Sequence, residues 1–259
     1  MSRGKALHCL RNCYAHTPKR GEYVGRKKMV STAGREYKET KKIILKKKNL
    51  NPRFQKLKDY ISKEFLVDVA NICVDVCKTY KRKDNRIQII LKTNKDCEKF
   101  INHQYKNGVL NFFDTENNKK IYDEIMTNHK DIIKFPDLKT FIVYSSFEQL
   151  AVEELYNSIP SKVIKELKKE CGEEIWEVKN FLSLICIMCY KNNQINLCKD
   201  KYKSKIQKSI YQELKKNDFY DFITDYNQIN IKFDSKENFD ANYEGSFLLY
   251  KMNCCVDFI

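Results

Sequence analysis

Seven glycines and four prolines in 259 residues leave this chain few places to turn tightly. β-Sandwiches and barrels need turns at regular short intervals, so an all-β architecture is a poor expectation. Abundant Lys, Glu, Leu and Ile favour helices instead. Apolar residues make up 42% of the chain, with 15 Phe and 16 Tyr, enough to build a core despite 32% charged residues. The expected fold class is α+β, mostly helical. It comprises a single helical body with a few short strands and a C-terminal β-hairpin, preceded by a basic N-terminal arm.

Periodicity assigns the elements. Asn51-Pro52 is a helix start, with Asn as N-cap and Pro at the first helical position. The helix is expected to run to about Tyr80, placing Glu64, Asp68, Asn71 and Asp75 on one face at i, i+4, i+7 and i+11. Ile87–Leu91 and Thr140–Tyr144 read as strands. Between them lie a short helix from Asn94, ended by Gly108, and another around Ile121–His129. Ser146 with Gln149 forms a capping box for a helix to Ser158, and Ser161 caps a Lys/Glu-rich helix ending at Gly172. Glu173–Tyr190, with little polar face, is expected to be the central helix. Lys199–Lys216 is another helix, with an apolar line of Tyr202, Ile206, Ile210, Tyr211 and Leu214. Ile229–Phe233 and Phe247–Met252 should pair as the terminal hairpin. No internal repeat is visible.

Charge is distributed very unevenly. The first 48 residues hold 15 Lys and Arg against three acids, a net +12 out of +15 for the whole chain. From Asn49 onward, 34 basic residues face 31 acidic ones. The one boundary this suggests lies at about Leu50, dividing a basic arm or subdomain (1–49) from a globular body (50–259). A basic arm on a near-neutral body points to a polyanion, most simply DNA or RNA. The expected contacts are Arg3, Lys5, Arg11, Lys19, Arg20, Arg26, Lys27, Lys28, Arg35, Lys41, Lys42, Lys46, Lys47 and Lys48. Lys201, Lys205 and Lys208 on the later helix would form a second contact surface. Gly21, Gly25 and Gly34 let the backbone approach phosphates, while Tyr14, Tyr23 and Tyr37 could stack on exposed bases. Genome packaging, replication or transcription, or a ribonucleoprotein particle would all use such a protein.

Asn12 and Tyr14, the following basic residues, Val30-Ser31, Gly34 and Tyr37 resemble the start of phage-type Holliday junction resolvases. That family's catalytic Asp-x-Asp-Asn run is missing, with only Asp84-Asn85 present, so the resemblance assigns no site residue here.

Other chemistry leaves weaker marks. Eleven cysteines scattered through apolar runs fit buried thiols in a reducing, intracellular compartment, cytoplasm or nucleus. The acid-free first 21 residues also fit a mitochondrial import signal. His8, Cys9, Cys13 and His16 crowd four potential zinc ligands together, and Cys186, Cys189 and Cys198 form a second such group. Neither has the two separated ligand pairs of a structural zinc site, and buried small hydrophobes explain the second group better. The chain has no phosphate loop, dinucleotide fingerprint or His-Glu-x2-His motif, so no catalytic residue, metal ligand or cofactor is assigned. Two alternatives stand beside nucleic-acid binding. One is a divalent-metal nuclease or nucleic-acid-modifying enzyme using Glu64, Asp68 and Asp75, with Asp84. The other is a structural protein docking on an acidic protein or anionic membrane surface. The longest apolar run, Phe181–Tyr190, is too short for a transmembrane segment.

Overall fold

The computed structural model describes residues 34–78, 83–100, 105–106, 109–110 and 115–254. The class is the expected one, α+β and mostly helical. The chain divides into two compact units, with the boundary between Ser146 and Phe147.

The first unit contains α1 (Arg35–Ile44), α2 (Gln55–Phe65), β1 (Val69–Lys78), β2 (Lys83–Leu91), α3 (Asn94–Glu98), β3 (Tyr105–Lys106), β4 (Val109–Leu110), α4 (Thr115–Asn128) and β5 (Thr140–Ser146). Asn51 opens the α2 region as expected, its side chain accepting the Arg53 N–H at 3.1 Å, with Pro52 beginning a short 3-10 turn. The helix does not reach Tyr80. Leu66 adopts a left-handed conformation, φ 51°, and Val69–Lys78 is a strand. Val69, Ile72, Val74 and Val76 supply the β-branched side chains that favour extended backbone.

β2 pairs antiparallel with β1 and parallel with β5, in the order β1-β2-β5. Val69, Ile72, Ile87, Ile89, Leu91, Ile142 and Tyr144 of the sheet pack with Leu57 and Ile61 of α2, Ile121 and Ile125 of α4, and Phe100. Phe100 is fully buried between Tyr144, stacked at 4.4 Å, and Phe65, edge-on at 5.2 Å.

The second unit contains α5 (Phe147–Asn157), α6 (Ser161–Glu170), β6 (Ile175–Phe181), β7 (Leu184–Cys189), α7 (Ile195–Lys215), β8 (Ile231–Ser235), α8 (Lys236–Tyr243) and α9 (Phe247–Cys254). The expected central helix Glu173–Tyr190 is in fact the hairpin β6–β7. Every residue of β7 is buried. Ile185, Ile187 and Cys189 enter one core with α6 and α7, while Leu184, Cys186 and Met188 enter another with Phe239 and Tyr250. A strand covered on both faces has no polar alternation, and its sequence looks like that of a buried helix.

The expected terminal hairpin does not form either. β8 pairs in parallel with β7, and Phe247–Cys254 is a helix placing Phe247 and Tyr250, three residues apart, against the second core.

The two units follow one plan. In each, a helix leads into a β-hairpin, a helical crossover follows, and a third strand pairs in parallel with the hairpin's second strand. Each hairpin carries a register shift at the same place, between Val69 and Asn71 and between Ile175 and Glu177. Each third strand ends on a serine, Ser146 opposite Leu91 and Ser235 opposite Cys189.

The second unit buries a polar knot. Asp234 accepts hydrogen bonds from the Tyr250 hydroxyl (2.7 Å), the Ser235 N–H (2.8 Å) and Asn238 Nδ2 (2.8 Å). Tyr250 Oη also lies 3.2 Å from Cys186 Sγ, and burial pushes its pKa far up, keeping it a donor. Tyr250→Phe leaves a buried carboxylate oxygen short of one partner. The expected loss is about 1–3 kcal/mol of stability in urea unfolding; an unchanged midpoint would mean the hydroxyl contributes nothing.

Candidate nucleic-acid interface

Helix α1 has two unlike faces. Tyr37 and Thr40 are buried, one helical turn apart. Thr40 Oγ1 donates to the Glu36 carbonyl at 2.7 Å and accepts from Asn71 Nδ2 of β1 at 3.0 Å, tying the helix to the sheet. Arg35, Lys38 and Lys42, at i, i+3 and i+7, are exposed. The chain then turns through Lys46, φ 55°, with the Lys47 and Lys48 N–H groups donating to the Lys42 carbonyl. This left-handed C-terminal turn exposes Lys46, Lys47 and Lys48 where cations complement the helix dipole. Glu39 is shared by Arg35 (3.0 Å) and Lys48 (3.5 Å), and the Arg35 hydrogen bond holds it below the usual carboxylate range. Lys41 is half-buried. Lys38, absent from the sequence-based set, belongs to the exposed stripe, and its helical spacing from Arg35 and Lys42 was the signal for it.

The other expected arm contacts, Arg3, Lys5, Arg11, Lys19, Arg20, Arg26, Lys27 and Lys28, lie outside the described residues, as do Tyr14, Tyr23, His8, Cys9, Cys13 and His16.

On α7, Cys198, Tyr202, Ile206, Ile210 and Leu214 are buried, and Lys201, Lys203, Lys205 and Lys208 are exposed, as the amphipathic pattern requires. Much of that charge is already paired. Lys201 lies 3.1 Å from Glu174, and the Tyr202 hydroxyl together with that carboxylate raises its pKa. Lys205 lies 3.1 Å from Glu170. Lys208 sits over the Tyr226 ring at 5.4 Å. Such exposed pairs hold only weakly in water and can exchange for other anions.

The four acids considered for metal chemistry do not share a helix face. Glu64 ends α2 beside Lys120 (3.6 Å), Asp68 lies outside both elements beside Lys92 (3.4 Å), and Asp75 on β1 accepts from Arg86 Nε on β2 at 2.9 Å. Asp84 is buried on β2, and its neighbour Asn85 donates to the Phe135 and Leu138 carbonyls. Among the described residues, no group of three or more His, Cys, Asp or Glu side chains could hold a metal ion.

Cys186 and Cys189 point into different cores on opposite faces of β7, so their metal-like spacing does not bring them together. Burial pushes the Cys73 thiol up to about 12 and those of Cys97 and Cys171 up to about 11. Their ordinary value is 9.0, so above that pH the unfolded chain loses protons that the folded chain keeps. Their contribution to stability therefore falls as pH rises from 9.0 toward 11–12. At pH 8, iodoacetamide should leave the buried Cys97 and Cys171 thiols unmodified in the native protein and label them in urea, read by peptide mass spectrometry. Native labelling at the denatured rate would contradict their burial.

No helix among the described residues is long and apolar enough to cross a membrane. The chain matches no family model, no curated protein and no solved structure.

Proposed function

We propose that this chain binds DNA or RNA through its basic N-terminal region, in which lysines and arginines neutralise backbone phosphates. The observation that carries this reading is α1. It is anchored by Tyr37 and Thr40, presents Arg35, Lys38 and Lys42 outward, and continues in sequence from eight further basic residues in the first 33. A helix that buries one face and turns a basic stripe outward can lie along a phosphate backbone without losing its fold. No feature selects one polymer, so the reading is of phosphate contact rather than base readout.

Fluorescence anisotropy of the full chain with single- and double-stranded DNA and RNA tests it. Saturable binding to at least one polymer is expected. Failure to bind any of them, or tighter binding to acidic liposomes at equal ionic strength, would overturn it.

A further inference from the structure

In the second unit, the last two turns of α6, the turn into β6 and the residue after β7 line an open cleft of about 830 Å³. It lies at the carboxyl end of β7, beside the amino end of its antiparallel neighbour β6. Lys165, Lys168 and Lys169 line it, against one carboxylate, Glu173. Lys168 reaches Glu177 at 3.9 Å, whereas Lys165 and Lys169 have no carboxylate partner among the described residues. Tyr190 also lines the cleft and is 47% exposed, although it directly follows a strand buried along its whole length.

Lysines at a helix C-terminus can simply complement the helix dipole. An exposed aromatic ring in the same cleft adds what that role does not need, a flat surface for another ring. We propose that this cleft binds a nucleotide, with its phosphate neutralised by Lys165 and Lys169 and its base stacked on Tyr190. The nucleotide could be free or one unit of a single strand, and the chemistry is the same. The site uses no residue of the basic helix α1 and does not depend on the function proposed for it.

The test is calorimetric titration of the full-length protein with adenosine monophosphate, uridine monophosphate, inorganic phosphate and a short single-stranded oligonucleotide. Tyr190→Ala, Tyr190→Phe and Lys165→Glu/Lys169→Glu variants are compared with wild type, their folding checked by circular dichroism. The expected result is saturable mononucleotide binding that Tyr190→Ala weakens at least about fivefold, the loss of one base–aromatic stack. Tyr190→Phe should retain it and the double charge reversal abolish it. An Arg35→Gln/Lys38→Gln/Lys42→Gln variant should bind mononucleotides like wild type, which separates this site from α1. If only the oligonucleotide responds to the Tyr190 and lysine changes, the ligand is a strand. If mononucleotides respond too, free nucleotides are accepted. Absence of saturable binding, or phosphate binding equal to mononucleotide binding with no effect of Tyr190→Ala, would overturn the proposal.

Discussion

Raising salt from 50 to 200 mM is expected to weaken binding of the full chain to duplex DNA by about 10³- to 10⁵-fold, if roughly six to ten of its basic groups sit on phosphates. The first 48 residues supply 15 candidates, so that number of contacts needs only about half of them. The physical origin is counterion release. Each neutralised phosphate frees a condensed cation, whose entropy gain shrinks as bulk salt rises. On a log–log plot the slope should be about −0.9 per contact for duplex DNA and about −0.7 for single strands. Lys201 and Lys205 would add to the slope only by exchanging Glu174 and Glu170 for phosphates. Affinity that is flat across this salt range would show that something other than phosphate neutralisation holds the complex together.

Replacing Phe100 with alanine should cost about 3–5 kcal/mol of stability, the usual penalty for emptying a buried aromatic site. Phe100 is fully buried, stacked on Tyr144 from the third strand and edge-on to Phe65 from α2. Its removal therefore loosens the sheet and the preceding helix together. Leu66→Ala is the matched control, because Leu66 is 80% exposed. That change should stay within about 0.5 kcal/mol. Urea unfolding of both variants measures the difference. Equal midpoints would mean that the aromatic contacts do not hold the first unit together.

Sequence reasoning read α7 and β5 well because both follow a single clean period. Tyr202, Ile206, Ile210 and Leu214 repeat at helical spacing, and Thr140–Tyr144 matches most of the observed strand. It failed where burial is two-sided. In β7 both faces are covered, so period two vanished and a central helix was inferred instead. In β1 the register shift between Val69 and Asn71 broke the alternation, and the polar residues happened to fit a helix face. The shared plan of the two units was not legible either. It lies in strand order, register shift and parallel pairing, which unrelated apolar side chains can satisfy equally well.

The candidate site was partly legible. The basic stretch stands out from charge alone, but charge does not separate a solvated tail from a packed helix. That distinction rests on Tyr37 and Thr40, whose burial makes α1 part of the first unit. A truncation at Leu50 would therefore remove a structural helix along with its charge. Substitution in the full chain is the cleaner experiment.

The most direct measurement compares the wild-type chain with a full-length variant carrying glutamine at Arg3, Lys5, Arg11, Lys19, Arg20, Arg26, Lys27, Lys28, Arg35, Lys38 and Lys42, by anisotropy against the same DNA and RNA across salt. Tyr37 and Thr40 stay in place, so α1 remains docked while 11 of the 15 basic residues in the first 48 are neutralised. The account predicts that affinity falls sharply and the salt slope flattens toward the value set by the remaining lysines. Wild-type affinity and slope in this variant would contradict it and place the binding surface elsewhere on the chain.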